Sequence, residues 1–125
     1  MKKSVPLALA LLAGLSLPAL ADGDVEKGKA VFNKCKACHE NEKGVNKVGP
    51  TLKGVIGRAT ASVPDYKYSD AMLEYAKTNP VWDDAHFLKY IENPKASVPK
   101  TKMAFPGLPK EEDRVNLLAY LKTMN

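Results

Sequence analysis

Apolar side chains recur at helical spacing in four segments of the chain, two long and two short. The first long segment covers residues 24–36, with Asp24 as a candidate N-cap and Glu26 in the first turn. Its apolar stripe consists of Val25, Gly28, Val31, Phe32 and Cys35. This spacing predicts a helix. Glycine costs about 1 kcal/mol in a helix relative to alanine, so we expect a second helix to cross closely at Gly28.

The second long segment, residues 110–122, predicts the last helix. It follows Pro109, its first turn is acidic and Lys122 lies in its last turn, which suits the helix dipole. Its apolar row is Val115, Leu118 and Leu121, widened by Leu117 and Tyr120. We expect this helix to cross the first one near Gly28, Phe32 and Tyr120.

Two shorter helices are predicted between these, over residues 69–78 and from Asp83 or Asp84 to about Glu92. A proline stops each of them. The inward residues are Met72, Leu73 and Ala76 in the first, and Phe87, Leu88 and Ile91 in the second. Residues 40–63 and 94–109 are rich in Gly and Pro and are predicted to be loops. The pattern therefore indicates an all-α fold.

The first 21 residues resemble a secretory signal peptide in their composition. Lys2 and Lys3 precede the apolar run 7–17, and the run 19–21 is an Ala-Leu-Ala cleavage site. Because the apolar run is shorter than the ~20 residues that span a bilayer, cleavage before Asp22 is favoured over a retained anchor. We expect residues 22–125 to form one domain that works in the periplasm or outside the cell.

Net charge and size limit what kind of domain this can be. The whole chain has a formal charge of +5, and loss of Lys2 and Lys3 with the signal peptide would leave +3. The remaining domain is basic, but not strongly so. A domain this small buries only a modest core of its own, and a large flat apolar cofactor would supply much of what is missing.

The segment Cys35-Lys36-Ala37-Cys38-His39 carries the strongest chemical signal in the chain. Two thiols at this spacing followed at once by a histidine are typical of covalent haem attachment. Each sulfur can add to one haem vinyl group, and His39 can bind the iron through Nε2.

Other interpretations of the two cysteines remain open. A redox dithiol usually lies near a βαβ pattern, and none is found here. Zinc needs about four ligands, whereas the chain has two cysteines and two histidines. A plain disulfide across so short a loop would constrain little.

Further candidate residues lie in the loops. Met103 has a soft sulfur that suits reduced iron, although an apolar plug in a loop would also explain a methionine there. The turn at Pro50 has carbonyls free to accept the second N–H of an iron-bound histidine. Arg58 either pairs with a haem propionate or faces water, and the sequence alone favours water. His86, beside two aspartates, is expected to be solvated.

Several stretches, in the same order, resemble the class I c-type cytochromes, and most of all the mitochondrial cytochrome c and bacterial cytochrome c2 branch. These stretches are residues 26–32, 35–39, 48–54, 57–58, 90–95, 100–105 and 117–122. The resemblance implies a small single domain in which crossed N- and C-terminal helices, short helices and long loops surround one covalently bound haem c.

The same resemblance assigns roles to individual residues. It implies that Cys35 and Cys38 are the thioether anchors and that His39 and Met103 are the axial iron ligands. The haem-pocket residues that it implies are Pro50, Arg58, Tyr68, Trp82, Tyr90, Thr101 and Phe105. One departure is Met72, where the mitochondrial branch usually has an asparagine in a buried polar network. That network is therefore in question, but the ligation is not.

The function implied is that of a soluble one-electron carrier and not an enzyme, because two filled axial positions leave the iron no open site. The alternatives are a haem enzyme or gas sensor with an open sixth site, and a zinc-binding or interaction module without haem. The implied partners are redox proteins: a bc1 complex, a terminal oxidase, a reaction centre or a periplasmic dehydrogenase. We expect a monomer without nucleic-acid binding or stable membrane insertion.

Lysines close to the candidate ligands in sequence suggest how such partners would dock. These lysines are Lys34, Lys36, Lys95, Lys100, Lys102 and Lys110. We hypothesise that they surround an exposed haem edge and steer acidic partners toward it. Scattered, solvated lysines remain the simpler alternative.

Overall fold

A computed structural model describes residues 23–125 of the chain. Its helices are α1 (Val25–Phe32), α2 (Asp70–Thr78), α3 (Asp84–Glu92), α4 (Pro94–Ser97) and α5 (Glu111–Lys122). Within that range the only extended pairing is an isolated antiparallel bridge between Ala59 and Val81. The prediction of an all-α fold with short helices and long loops is confirmed.

Helices α1 and α5 cross at Gly28, as the sequence predicts. A Cβ atom on Gly28 would lie 2.7 Å from Cβ of Tyr120 and would overlap the backbone carbonyl of Asn116. Beside this contact the rings of Phe32 and Tyr120 pack with their centroids 5.6 Å apart. The missing side chain of Gly28 is therefore what lets the two helices approach each other.

The buried face of α5 differs from the predicted row at two positions. Val115 is only half-buried, whereas Asn116 is buried, and its side-chain oxygen accepts a hydrogen bond from the Asp24 N–H at 2.8 Å. Asp24 is the N-cap of α1, so an asparagine in the core joins the two helices. A hydrophobicity pattern cannot detect this, because it assigns a polar residue to the solvent face.

The helix starts follow the local signals in the sequence. The side chain of Asp24 caps α1, that of Ser69 caps α2 and that of Asp83 caps α3, each by accepting a backbone N–H three residues ahead. The first helix is shorter than predicted, because α1 ends at Phe32 and residues 33–38 continue in tight turns.

The prediction of a loop over residues 94–109 is wrong at its start, because residues 94–97 form α4. The side chain of Asn93 accepts a hydrogen bond from the Ala96 N–H at 3.2 Å, and Pro94 occupies the first turn. Proline suits that position because its fixed φ matches a helix and no N–H is needed there. The same proline therefore ends α3 and begins α4.

The core is formed by α1, α3 and α5 together with residues of the loops. Its most deeply buried side chains are Phe32, Pro94, Leu108, Leu117 and Leu121. The loop after α4 joins this core where the Leu108 N–H donates to the carbonyl of Ile91 at 2.8 Å. Met103 and Phe105 of this loop also pack against the core.

No helix among residues 23–125 is long and apolar enough to cross a bilayer. Residues 1–21, for which the sequence predicts a signal peptide, lie outside the described residues.

Candidate cofactor site

The two cysteines lie in tight turns directly after α1. The N–H of Cys38 and the N–H of His39 both donate to the carbonyl of Cys35, at 3.2 and 2.9 Å. Both thiols are free, with Cys35 half-buried and Cys38 exposed. Burial raises the pKa of Cys35 to about 11, partly offset by Lys34, while Cys38 raises it further. A redox dithiol needs a lowered pKa, so this environment does not favour that interpretation.

The imidazole of His39 is held at one nitrogen and lies against a glycine. Its Nδ1 is 2.7 Å from the carbonyl of Pro50, and since a carbonyl can only accept, Nδ1 carries the proton. A Cβ on Gly49 would lie 2.7 Å from this Nδ1 and 2.9 Å from Nε2, so a larger residue there would displace the ring. Nε2 has no hydrogen bond to any residue in the range 23–125.

The surroundings of His39 favour its neutral form. Burial lowers the pKa of the imidazole, the hydrogen bond to Pro50 opposes this, and the charges of Arg58 and Lys47 lower it further. A neutral imidazole with Nδ1 engaged presents the Nε2 lone pair that a metal binds.

The carboxylate of Glu40, which no sequence motif marks, accepts four hydrogen bonds. The donors are the N–H groups of Glu42, Lys43 and Val45 and the hydroxyl of Thr51, at 2.7–3.0 Å. Removal from water alone would raise its pKa, but the hydrogen bonds outweigh this and lower the pKa to about 2. A glutamate at the surface of a loop gives no sign of this in sequence.

Met103, Tyr90 and Thr101 come together through hydrogen bonds. The hydroxyl of Tyr90 donates to the sulfur of Met103 at 3.6 Å, and the Met103 N–H donates to Oγ1 of Thr101 at 3.1 Å. Burial raises the pKa of Tyr90 to about 12, partly offset by Thr101, with Tyr75 raising it further. The tyrosine therefore stays a hydrogen-bond donor to the sulfur at neutral pH.

Arg58 is half-buried, contrary to the expectation that it faces water. Its Nη1 donates to the carbonyls of Thr51 and Lys53 at 2.9 and 3.1 Å. Its Nε is buried and has no partner among the described residues. Burial lowers the pKa of the guanidinium, an effect that Tyr68 opposes. A buried N–H without an acceptor indicates that an acceptor belongs beside it.

Trp82 connects the arginine side of the site to the methionine side. The backbone N–H of Trp82 donates to the Arg58 carbonyl at 2.9 Å. The indole ring of Trp82 lies edge-on to Tyr90 with the centroids 4.8 Å apart. Tyr68, near Arg58, accepts the Val63 N–H at 3.0 Å through its hydroxyl. Phe105 is half-buried and packs against the core cluster that contains Trp82 and Tyr90.

The prediction that His86 is solvated is wrong. Its ring stacks on Trp82 with the centroids 4.1 Å apart, Nδ1 donates to the Val81 carbonyl at 2.8 Å, and Nε2 accepts from the Tyr75 hydroxyl at 2.6 Å. Tyr75 lies on α2 and His86 on α3, so the pair depends on how those helices meet. Met72, the departure from the resembled family, is half-buried on the core.

A zinc site would need about four ligands. Over residues 23–125, no three His, Cys, Asp or Glu side chains lie together in a way that could hold a metal ion.

Three comparisons bear on the identity of the chain. A family model described as Cytochrome c matches residues 25–125. Cytochrome c-554 of Methylosinus trichosporium is 48% identical over 116 residues, which cover 92% of this chain and 83% of that protein. Cytochrome c of Euglena viridis is 47% identical over 103 residues, covering 82% and 98% of the two chains.

The fold itself also matches a solved structure. Cytochrome cH from Methylobacterium extorquens superposes with a TM-score of 0.73 at 42% identity, over 81% of this chain and 99% of that one.

Proposed function

The chain belongs to the cytochrome c family, and from this premise we propose that it is a soluble carrier of single electrons that holds one covalent haem c. When bound, the haem iron supplies the chemistry by alternating between its ferrous and ferric states. In this proposal Cys35 and Cys38 would attach the cofactor, and His39 and Met103 would bind its iron. Two ligands from the chain would leave the iron no open position for a substrate, so we do not expect an enzyme.

One observation carries this proposal: His39 is engaged through Nδ1 at 2.7 Å by the Pro50 carbonyl, directly after two free thiols. That hydrogen bond orients the ring, increases its basicity and leaves Nε2 available for a metal. We propose that Cys35 and Cys38 hold the haem through thioether bonds and that His39 is one axial ligand.

Met103 is proposed as the second axial ligand. Its sulfur receives a hydrogen bond from Tyr90 of α3, and its backbone N–H donates to Thr101 in the same loop, so the sulfur is tied to α3 and its backbone is fixed locally. A neutral thioether in apolar surroundings disfavours additional positive charge and so raises the reduction potential.

Arg58 supports the fit of haem in particular. Its buried Nε without a partner suits a carboxylate acceptor, and haem has two propionate carboxylates. Tyr68 lies close enough to Arg58 for the arginine charge to act on its hydroxyl, and the backbone N–H of Trp82 bonds to the Arg58 carbonyl. Tyr90 packs edge-on against Trp82, and Phe105 packs against the same core cluster. We propose all of these as haem-pocket residues.

The ligation is tested on protein made in a host that attaches c-type haem. We expect the oxidised protein to show a weak sulfur-to-iron charge-transfer band in the far red, and Met103→Ala to abolish it. Met72→Ala is the matched control, because Met72 is also a half-buried methionine on the same core, and it should keep the band.

A wild-type protein without this band would contradict the proposal. It would indicate that Met103 does not bind the iron, which a haem enzyme or gas sensor with an open sixth site requires. A colourless protein from such a host would indicate that no haem is attached.

We propose that the partners are redox proteins met in the periplasm, after removal of residues 1–21. A bc1 complex, an oxidase, a reaction centre and a periplasmic dehydrogenase are the candidates. The six lysines predicted to guide docking are all exposed, which supports attraction of an acidic surface. The association rate with a redox partner should fall as ionic strength rises, and a rate independent of salt would refute steering.

A further inference from the structure

The hydrogen bonds around Glu40 lead directly to the iron-binding histidine proposed above. Oε1 of Glu40 accepts the Thr51 hydroxyl at 2.7 Å. Thr51 follows Pro50, whose carbonyl is 2.7 Å from Nδ1 of His39, and His39 in turn precedes Glu40. Two hydrogen bonds and two stretches of backbone thus form a closed ring through these four residues.

Further contacts keep this ring from opening. The Leu52 N–H donates to the backbone carbonyl of Glu40 at 2.8 Å, so residues 39–40 and 50–52 run side by side. Thr51 is buried, and its own N–H donates to Oδ1 of Asn46 at 3.0 Å. The contacts of Thr51, the residue after Pro50, therefore help to fix the position of the Pro50 carbonyl.

The remaining acceptor capacity of the Glu40 carboxylate organises the next loop. The N–H groups of Glu42 and Lys43 point to one oxygen, and that of Val45 points to the other. These donors hold the carboxylate in one orientation. Hydrogen bonds to a charged acceptor are stronger than those to a neutral one, so the carboxylate holds Thr51 firmly.

We propose that Glu40 is a positioning residue for the axial histidine: by holding Thr51 it keeps the Pro50 carbonyl against Nδ1 of His39. The strength of that hydrogen bond sets the orientation of the imidazole and its basicity as a ligand. The inference rests on the proposed function, because it takes His39 as the ligand of haem iron.

Glu40→Gln and Thr51→Val test the link from its two ends, in the haem-loaded protein. Glu40→Gln keeps the size of the side chain and removes its charge, and Thr51→Val removes the hydroxyl without changing any charge. Glu42→Gln is the matched control, because it removes the same charge from an exposed side chain of the same loop that makes no hydrogen bond to the described residues.

The first measurement is the hydrogen-exchange rate of the His39 Nδ1–H in the reduced protein, followed by NMR. One weakened charge-assisted hydrogen bond corresponds to about a tenfold change in a local equilibrium. We therefore expect exchange about tenfold faster in Glu40→Gln and in Thr51→Val, and no change in Glu42→Gln.

The second measurement is the reduction potential. A less basic imidazole stabilises the ferric form less, so the potential should rise in Thr51→Val, and in Glu40→Gln it should rise by more than in Glu42→Gln. The proposal is overturned if the Nδ1–H exchanges at the wild-type rate in both test variants. If Glu40→Gln does not fold, Thr51→Val decides, because it keeps the carboxylate.

Failure of the proposed function would look different from failure of this inference. In that case the wild-type protein would itself lack an iron-bound His39, whatever residue stands at position 40. If the wild-type histidine is bound and both variants behave like Glu42→Gln, the inference alone is wrong.

Discussion

Gly28→Ala should destabilise the protein, although alanine is the better helix former. The new Cβ would lie 2.7 Å from Cβ of Tyr120 and would overlap the Asn116 carbonyl. Since carbon atoms in contact are normally about 3.5–4.0 Å apart, α1 and α5 would have to separate by about 1 Å. That shift would strain the hydrogen bond of 2.8 Å between the Asp24 N–H and the side chain of Asn116.

The expected loss of unfolding free energy in Gly28→Ala follows from three contributions. Overpacking costs about 1–3 kcal/mol, and loss of the hydrogen bond between the helices costs about 1 kcal/mol. The gain in helix propensity offsets about 1 kcal/mol. We therefore expect the free energy of unfolding to fall by about 1–3 kcal/mol.

The assay is denaturant unfolding of the haem-loaded protein, comparing midpoints at unchanged slope. Ala30→Gly is the control, since Ala30 is exposed on the same helix and reports the propensity effect alone, a loss of about 1 kcal/mol. If Gly28→Ala were as stable as the wild type or more stable, the close crossing would not limit the size of residue 28, and the reasoning would be refuted.

Three further predictions concern side chains that make hydrogen bonds. The folded-state pKa of Glu40 is lowered from 4.5 to about 2. The ionised carboxylate therefore contributes its full stabilisation of the fold above pH 4.5, and this stabilisation is lost as the pH falls toward 2. The free energy of unfolding of Glu40→Gln, measured against pH, should fall less steeply in that range than that of the wild type. Tyr75→Phe removes the donor to His86 and should cost about 1 kcal/mol in unfolding free energy, and no loss would mean that the pair is only incidental. Tyr90→Phe removes the donor to the Met103 sulfur and should change the reduction potential while the far-red band remains; an unchanged potential would contradict that role.

Features that depend on a few neighbouring residues were predictable. The caps at Asp24, Ser69 and Asp83 lie where the sequence indicates them, because a cap needs only its own side chain and an N–H three residues ahead. The sequence pattern does not reveal the short helix at Pro94, although its signals are also local, because the same proline ends α3.

Several side-chain contacts are not predictable from the sequence. The sequence predicts a solvated His86, but its ring stacks on Trp82 and bonds to Tyr75 of the preceding helix. Asn116 is polar yet buried, and its hydrogen bond to the N-cap residue of α1 accounts for this. Arg58 gains its role because the carbonyls of residues 51 and 53 turn toward it.

By itself the sequence determined four of the five helices, the all-α class, the approach of α1 and α5 at Gly28 and the family of the protein. Each of these depends on spacing within a short segment, or on several such segments in a given order. The sequence also predicts that the turn at Pro50 offers an acceptor for His39, and the structure shows that hydrogen bond. Only the tertiary structure decided the other polar contacts: the Thr51 hydroxyl with Glu40, the Asp24 N–H with Asn116, and Tyr90 with Met103. A hydrogen bond depends on tenths of an ångström between groups far apart in the chain, and hydrophobic periodicity carries no information at that scale.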